Sequence, residues 1–441
     1  MARLNRAKDG PELTTHEGAP ARRITPEQEL RRSVMSCLLW EGTFYESGED
    51  IATRIVGLCE KVDPKIVGDI AVEARNDMKL RHVPLLLAVS LAKAGHGHLL
   101  QTLLPAIIQR PDEMSELLAI YWKDGRCPLA SGLKRGLAAT FPRFNEYQLA
   151  KWNRDDAIKL RDVLFLCHAK PQSAAQAETW KKLIDGTLKA ADTWEVALSA
   201  GKDKKATWER LLSEGKLGDI ATLMNLRNML AVGVNEDLIR ARLAKGIKWA
   251  LPFRFITAAR YAPRLEPSLE SAMLGALADA EKLPGRTVLL VDVSGSMNYP
   301  LSDRGETTRI DAACGLAILV REIAEDCAIY TFSDQLVECP SRRGFALRDS
   351  INSSQHHRGT YLGEALVQLP LRPSDRLVVI TDEQSHDAVR VHLACKNAYC
   401  INVGTYERGV GYGGDWLHID GWSENVVRFI QALEMTDIPG G

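Results

Sequence analysis

The 441-residue sequence has no signal-peptide core near its N-terminus and no apolar run that would span a membrane. Its longest apolar stretch, near Val83 to Leu91, is far shorter than the roughly twenty residues that a spanning helix needs. Its nine cysteines include no CxxC pair and no compact framework, which favours buried, reduced thiols over disulfides or zinc sites. We therefore expect a cytoplasmic protein without a membrane partner.

The sequence also lacks a strong net charge, since its formal value is −1. The charges are unevenly distributed, however: residues 1–285 carry an excess of +6 and residues 286–441 an excess of −7. A modest positive excess permits a phosphate-backbone partner, but an ordinary solvated surface would carry it equally well. The length and the 45% hydrophobic content predict two or three globular domains.

The first two-thirds of the chain has a helical pattern. Residues 1–28 lack periodicity and are predicted to form a flexible arm. From about Glu29, apolar residues return at spacings of three and four, and turn residues such as Asp63-Pro64 and Gly95 separate the segments. Few runs of strand character occur before Arg286. The pattern over residues 29–283 predicts an all-α, HEAT-like solenoid of antiparallel helix pairs.

The pattern changes after the turn-rich segment 282–285. A continuous apolar run at 287–291 predicts a buried parallel strand, and similar runs follow at 327–332, 376–380 and 399–403. Helical segments at 309–324 and 362–369 separate these runs. Alternating strands and helices predict a doubly wound α/β domain over residues 286–441, whose ligands would bind at the carboxyl ends of the strands.

Oxygen-bearing side chains follow two of these strands. The candidate cation ligands are Asp292, Ser294 and Ser296 in DVSGS, Thr360 in RGTYLGEAL and Asp382 in LVVITDEQS. Two carboxylates and three hydroxyls suit Mg²⁺, although Mn²⁺ and Ca²⁺ also accept oxygen ligands. The alternative is that these residues only cap helices and make turns. Because no nucleophile with an accompanying base lies near them, catalysis is not expected.

This ligand order resembles the metal-ion-dependent adhesion site of von Willebrand factor A domains over residues 286–435. Farther upstream, LWEGTFYESGEDIATRIVGLCE and AVEARNDMKLRHVPLLLAVSLAK resemble the TROVE module of the Ro autoantigen family, as do AKWNRDDAIKLRDVLFLCHAKP and LPFRFITAA. A TROVE module followed by an A-type domain is the layout of Ro proteins. The resemblance implies a monomeric ring of helical repeats that binds small noncoding Y-like RNA and misfolded or single-stranded-ended RNA. It also allows an exoribonuclease partner.

Candidate RNA-contacting residues lie in the middle of the helical module. The basic side chains of Lys134, Arg135, Lys151, Arg154 and Lys170 can neutralise phosphates, and His168 can stack on a base or donate to a phosphate. The family resemblance places Lys151 and His168 at RNA-contacting positions. The acidic pair Asp155-Asp156 is expected to weaken this binding. The alternatives are solvated lysines and arginines, and a partly buried His168.

These observations predict a noncatalytic, RNA-binding ribonucleoprotein component with a role in RNA quality control or stabilisation. The main alternative is an adaptor, in which the cation captures an acidic protein partner and the helices are only a scaffold. A hydrolytic enzyme is a more distant alternative because no general base or phosphate loop accompanies the cation site.

Overall fold

The computed structural model describes residues 13–21, 24–35, 37, 39, 46–189, 192–199, 203–247, 250, 252–303, 305–389, 393–395, 397–404, 406, 408–411, 415–422, 426, 430 and 434. The chain divides into a helical unit, residues 26–42 and 47–276, and a sheet unit, residues 1–25, 43–46 and 277–441. Among the described residues, no helix has the length and apolarity needed to cross a membrane. The cysteines are buried apart from Cys127, as predicted.

The helical unit is a succession of short helices joined by short turns. They are α1 Pro26–Met35, α2 Gly48–Cys59, α3 Pro64–Asn76, α4 Val83–Lys93, α5 Leu100–Ile107, α6 Asp112–Tyr121, α7 Ser131–Thr140, α8 Glu146–Trp152, α9 Leu160–Cys167, α10 Ala174–Asp185, α11 Trp194–Ser199, α12 Lys204–Ser213, α13 Asp219–Met224, α14 Leu226–Ala231, α15 Glu236–Ala244, α16 Pro252–Tyr261 and α17 Glu266–Leu277.

Neighbouring helices pack in a repeating pattern. Helix α3 contacts α4 and α5, α4 contacts α6, α5 contacts α7, and α7 contacts α9. Their apolar faces form a continuous core that runs from Leu30 to Leu183. Gly136 allows the close approach of α7 to α5, because a Cβ atom there would collide with the Leu100 carbonyl oxygen. This local stacking confirms the predicted HEAT-like arrangement of helix pairs.

The sheet unit contains six described strands and three described α-helices. They are β1 Leu283–Asp292, α18 Arg309–Ile323, β2 Ala324–Phe332, β3 Leu336–Cys339, α19 Gly344–Asn352, α20 Leu362–Gln368, β4 Arg376–Thr381, β5 Asn397–Asn402 and β6 Leu417–Asp420. The strand order is β3-β2-β1-β4-β5-β6, and only the β2–β3 pairing is antiparallel. This confirms the predicted doubly wound α/β domain. Residues beyond Glu434 lie outside the described part of the chain.

The edge strands β3 and β6 and the helix α19 were not predicted from the sequence. Strand β3 is mostly half-exposed and β6 has only four residues, so neither contains a continuous apolar run. Strand β1 also begins earlier than predicted, at Leu283, which pairs with Ala324 before a register shift. The left-handed backbone of Gly285, with φ of 76°, accompanies that irregularity. The central strands, buried on both faces, gave the clear sequence signal.

The segment predicted as a flexible arm contains a closed turn over residues 13–21. Thr15 N–H donates to the Ala19 carbonyl at 2.8 Å, and Ala21 N–H donates to the Leu13 carbonyl at 2.7 Å. Both Thr15 and Ala19 are buried. Helix α1 then begins at Pro26, inside the predicted arm. The helix thus begins two residues before the predicted end of the arm at residue 28. The turn was not predicted because turn hydrogen bonds leave no periodic pattern in a sequence. Residues 1–12 of the arm lie outside the described part.

Candidate functional site

The five predicted cation ligands lie at the carboxyl edge of the sheet. Asp292 ends β1, and Ser294 and Ser296 follow in the next loop. Asp382 comes directly after β4, the parallel neighbour of β1. Thr360 precedes α20. All are buried except Ser296, which is half-buried.

Hydrogen bonds join the loops that carry these ligands. Asp292 Oδ1 accepts from Ser294 N–H at 2.8 Å, and Asp292 Oδ2 accepts from the Thr381 hydroxyl at 2.6 Å. The hydroxyl oxygens of Ser294 and Ser296 are 3.3 Å apart. Gly295 N–H donates to the Arg358 carbonyl at 2.8 Å, and the Ser385 hydroxyl donates to the Thr360 carbonyl at 3.2 Å. The three loops therefore form one connected structure.

A buried arginine links two of the ligand residues. Arg309 Nη1 lies 3.5 Å from Asp382 Oδ2 and donates to the Ser296 carbonyl at 2.9 Å. Burial, and then the nearby Asp382 carboxylate, raise the pKa of Asp292 to about 7. Two carboxylates are thus held together in a region that disfavours their charge. A divalent cation would relieve this repulsion.

The donor set fits a hard divalent cation. It contains two carboxylates and three hydroxyls, and Mg²⁺ retains water for its other positions. The described residues contain no group of three or more His, Cys, Asp or Glu that could hold a metal. The two carboxylates of this set therefore need the hydroxyl oxygens as further ligands. Ser294 precedes the short helical turn Gly295–Asn298 but makes no side-chain capping bond. Thr360 is not the N-cap of α20, which is Tyr361. Capping therefore does not explain these two hydroxyls.

The turn at residues 13–21 packs on the loops that carry Thr360 and Asp382. The Thr15 hydroxyl donates to the Ser385 carbonyl at 2.8 Å, and His16 N–H donates to Gln384 Oε1 at 2.8 Å. Glu17 Oε2 lies 3.1 Å from His386 Nε2. We call residues 13–21 the N-terminal strap. No pattern in the sequence indicates this role, because the strap lies in the segment without periodicity.

A second buried cluster follows Asp382 in the chain. Glu383 has a left-handed backbone, with φ of 64°, and its carboxylate pairs with His418 and accepts from Gly411 N–H at 2.9 Å. His418 Nδ1 lies 3.5 Å from Asp420 Oδ2. Sequence reasoning missed this cluster, whose members lie on separate segments. It holds the loop after β4 and thereby the backbone that follows Asp382.

The predicted RNA-contacting residues lie on the helical unit from α7 to the loop after α9. Arg135, Arg154, His168 and Lys170 are exposed, and Lys134 and Lys151 are half-buried; Lys134 and Arg135 are on α7 and Lys151 is on α8. His168 ends α9 in a left-handed conformation, with φ of 54°. Its exposure rules out the partly buried alternative. Within the described residues, the four other basic side chains have no ion-pair partner within 4 Å, whereas Arg154 lies 3.9 Å from Asp112.

A tryptophan lies among these cations. The Arg110 guanidinium carbon is 3.4 Å from the centroid of the Trp152 ring, and Lys151 and Arg154 lie 5.1 and 5.2 Å from it. Asp112 holds Arg110 through two hydrogen bonds of 3.1 and 2.6 Å. Sequence reasoning missed Arg110 and Trp152, although an aromatic residue between Lys151 and Arg154 is a signal for nucleic-acid binding. We call Arg110, Lys151, Trp152 and Arg154 the Trp152 cluster.

The acidic pair beside this cluster is partly neutralised. Asp155 Oδ1 lies 2.5 Å from Lys159 Nζ, and the hydrogen bond from Lys159 lowers the pKa of the exposed Asp155 carboxyl. Asp156 is also exposed. The predicted repulsion between this pair and an RNA backbone therefore comes mainly from Asp156.

Comparisons with known proteins agree with the fold. A family model described as the TROVE domain matches residues 185–300. The crystal structure of the Deinococcus radiodurans RO (RSR) protein matches with a TM-score of 0.58 and 19% sequence identity, over 94% of this chain and 100% of that one. The predicted resemblance is therefore confirmed for the fold and for the TROVE segment at residues 185–300. The TROVE match begins well after the predicted start at residue 29 and continues through β1. None of the curated proteins matches the sequence.

Proposed function

We propose that this chain is a noncatalytic, RNA-binding ribonucleoprotein component of the Ro type. The observation that carries the proposal is the Trp152 cluster, in which three cations surround one half-buried aromatic ring. Cations contact phosphates, and aromatic rings stack on unpaired bases. Lys134, Arg135, His168 and Lys170 extend this surface along neighbouring segments of the helical unit. The TROVE match and the Ro-like fold support the same function.

The RNA class follows from the resemblance. Small noncoding Y-type RNA and misfolded or structured RNA with single-stranded ends are the proposed partners, in RNA quality control or stabilisation, and an exoribonuclease is a proposed protein partner. A surface of cations with few base-reading groups suits recognition by shape and backbone more than by sequence. Closure of the helices into a monomeric ring stays a prediction, which small-angle scattering tests.

The sheet unit is proposed to hold one divalent cation, most favourably Mg²⁺. Asp292, Ser294, Ser296, Thr360 and Asp382 would supply its oxygen ligands. When bound, the cation supplies positive charge and an open position for an acidic group. Arg309 holds the Asp382 carboxylate and the Ser296 backbone in place, and Thr381 orients Asp292 through its hydroxyl.

A cation-dependent protein adaptor is the second candidate function. It is favoured by the burial of the Asp292–Asp382 pair at the carboxyl edge of the sheet, the position where ligands of doubly wound domains bind. In an adaptor, an acidic side chain of the protein partner would complete the cation's coordination, and the helical unit would not bind RNA.

A binding titration separates the two functions. The full-length protein is titrated with a labelled stem-loop RNA that has a single-stranded tail, at several salt concentrations. We expect the Lys151→Ala/Arg154→Ala variant to bind at least about tenfold more weakly than wild type, because two phosphate contacts are lost. Lys204→Ala/Lys205→Ala, which removes two exposed lysines of α12, is the matched control. Equal affinities of both variants and wild type would reject this surface and favour the adaptor.

A further inference from the structure

A groove of about 460 Å³ lies between the end of α9 and α10, apart from the Trp152 cluster. Leu164, Trp180 and Ile184 give it an apolar lining, together with Phe165 and His168. Phe165 is 56% exposed, an unusual position for a large aromatic side chain in a soluble protein. The groove therefore offers aromatic surface to a ligand.

Trp180, one of the residues that line the groove, carries a buried hydrogen-bond donor. Trp180 is only 4% exposed, and its indole Nε1–H has no hydrogen-bond partner among the described residues. Phe141 packs edge-on against the indole, with 5.2 Å between the ring centroids, and so fixes its orientation. A buried donor without a partner is unfavourable, so a ligand that supplies an acceptor would gain affinity there.

Two positively charged side chains lie beside the groove. Lys181 lines it and Lys170 follows His168 in the chain; both are exposed. Within the described part of the chain, neither forms an ion pair. Lys182 differs, because its ammonium lies 3.4 Å from both Glu146 and Glu178. The groove thus combines aromatic surface, an available donor and two available cations.

We propose that this groove binds one unstacked base of single-stranded RNA. The base packs against Phe165 and His168, one of its acceptor atoms receives the Trp180 indole N–H, and the flanking phosphates contact Lys170 and Lys181. Each part of a nucleotide meets a matching group: the flat ring meets the aromatic side chains, and the phosphates meet the cations. The inference rests on the proposed RNA-binding function and specifies where a single-stranded segment is held.

The test compares two exposed aromatic residues of the same unit in the full-length protein. Phe165→Ala removes the proposed stacking surface, and Tyr147→Ala is the control, since Tyr147 is 54% exposed and lies outside the groove. The probes are a fluorescein-labelled 12-nucleotide oligouridylate and a blunt-ended RNA duplex. We expect Phe165→Ala to weaken oligouridylate binding about five- to a hundredfold, the range for loss of one base stack, and to change duplex binding less than about twofold.

A second pair of measurements tests the donor and the base itself. Trp180→Phe keeps an aromatic ring, although a smaller one, and removes the N–H, so it should weaken oligouridylate binding while duplex binding, which reports on folding, stays unchanged. An abasic oligomer of the same length should bind wild type and Phe165→Ala equally. Unchanged oligouridylate affinity in Phe165→Ala, or the same loss in Tyr147→Ala, would overturn the groove proposal. If wild type binds neither probe, the proposed RNA-binding function itself fails.

Discussion

Glu17 and His386 are in contact, with 3.1 Å between Glu17 Oε2 and His386 Nε2. The other ring nitrogen, His386 Nδ1, accepts from Thr360 N–H at 3.0 Å. The proton of the neutral ring is therefore on Nε2, the nitrogen that faces the Glu17 carboxylate. A side chain of the N-terminal strap thus fixes the ring that holds the backbone of a proposed cation ligand.

Loss of this contact should weaken cation binding. We expect Glu17→Ala to reduce Mn²⁺ affinity about tenfold, the low end of the effect of removing an outer partner of a metal ligand, and Glu17→Gln to reduce it less because a side chain of the same length still contacts the ring. Isothermal titration calorimetry with MnCl₂ measures this change. Glu338→Ala, an exposed change on β3, is the control. Wild-type affinity in Glu17→Ala would show that the strap does not position Thr360.

Removal of either buried carboxylate should abolish the cation site. We expect Asp292→Asn and Asp382→Ala each to lower Mg²⁺ or Mn²⁺ affinity by at least about a hundredfold, since each removes a charged ligand. The free energy of unfolding of metal-free Asp292→Asn should not fall, because the mutation removes the repulsion that raises the pKa of Asp292. Calorimetry and urea denaturation in EDTA test both statements. Unchanged metal affinity in both variants would contradict the assignment.

RNA binding should be strongly salt-dependent. If about four to six phosphates are contacted, affinity should fall roughly a hundredfold or more between low and moderately high salt. Lys151→Ala/Arg154→Ala should flatten the plot of log affinity against log salt by up to about two units. His168→Ser should weaken binding with a smaller change in slope, because a neutral side chain releases few ions. Salt-independent affinity would refute an electrostatic interface.

Neutralising the acidic pair next to the Trp152 cluster should have the opposite effect on RNA binding. Asp155→Asn/Asp156→Asn should strengthen RNA binding about two- to tenfold if the backbone passes there, because it removes repulsion and releases Lys159 from its partner. The same titration measures the effect, and Asp203→Asn on the N-terminal side of α12 is the control. Weaker binding in the double variant would place the RNA elsewhere.

Stability of the helical unit should depend on one buried ion pair. Arg75 Nη2 lies 2.6 Å from Glu113 Oε1, and Glu113 Oε2 also accepts from Gln109 N–H at 2.8 Å. We expect Glu113→Ala to lower the free energy of unfolding by about 3–5 kcal/mol, because Arg75 would remain buried without its partner. Chemical denaturation measures this, with the exposed Glu178→Ala as the control. A loss below about 1 kcal/mol would contradict this role.

The sequence predicted those features that have a local signal. Strands such as β1 and β4 are buried on both faces and contain continuous apolar runs, so the α/β domain and the carboxyl edge bearing Asp292 and Asp382 were predictable. The Thr15–Ser385 contact was not predictable, because its partners are far apart in sequence and neither belongs to a periodic segment. The sequence around Trp152 does contain a local signal, the flanking Lys151 and Arg154, but the contact of Trp152 with Arg110 was not predictable, because another part of the helical unit supplies that arginine.

The contact between the strap and the loop after β4 also constrains how the protein is made. Thr15 and Ser385 are separated by 370 positions in the chain. At about 5–20 residues per second, translation needs roughly 20–70 seconds to produce the second partner after the first. During that interval the helices can fold in sequence order, whereas the strap has no surface to pack on. The loops of the cation site thus reach their final form only after the segment that carries Ser385 has left the ribosome.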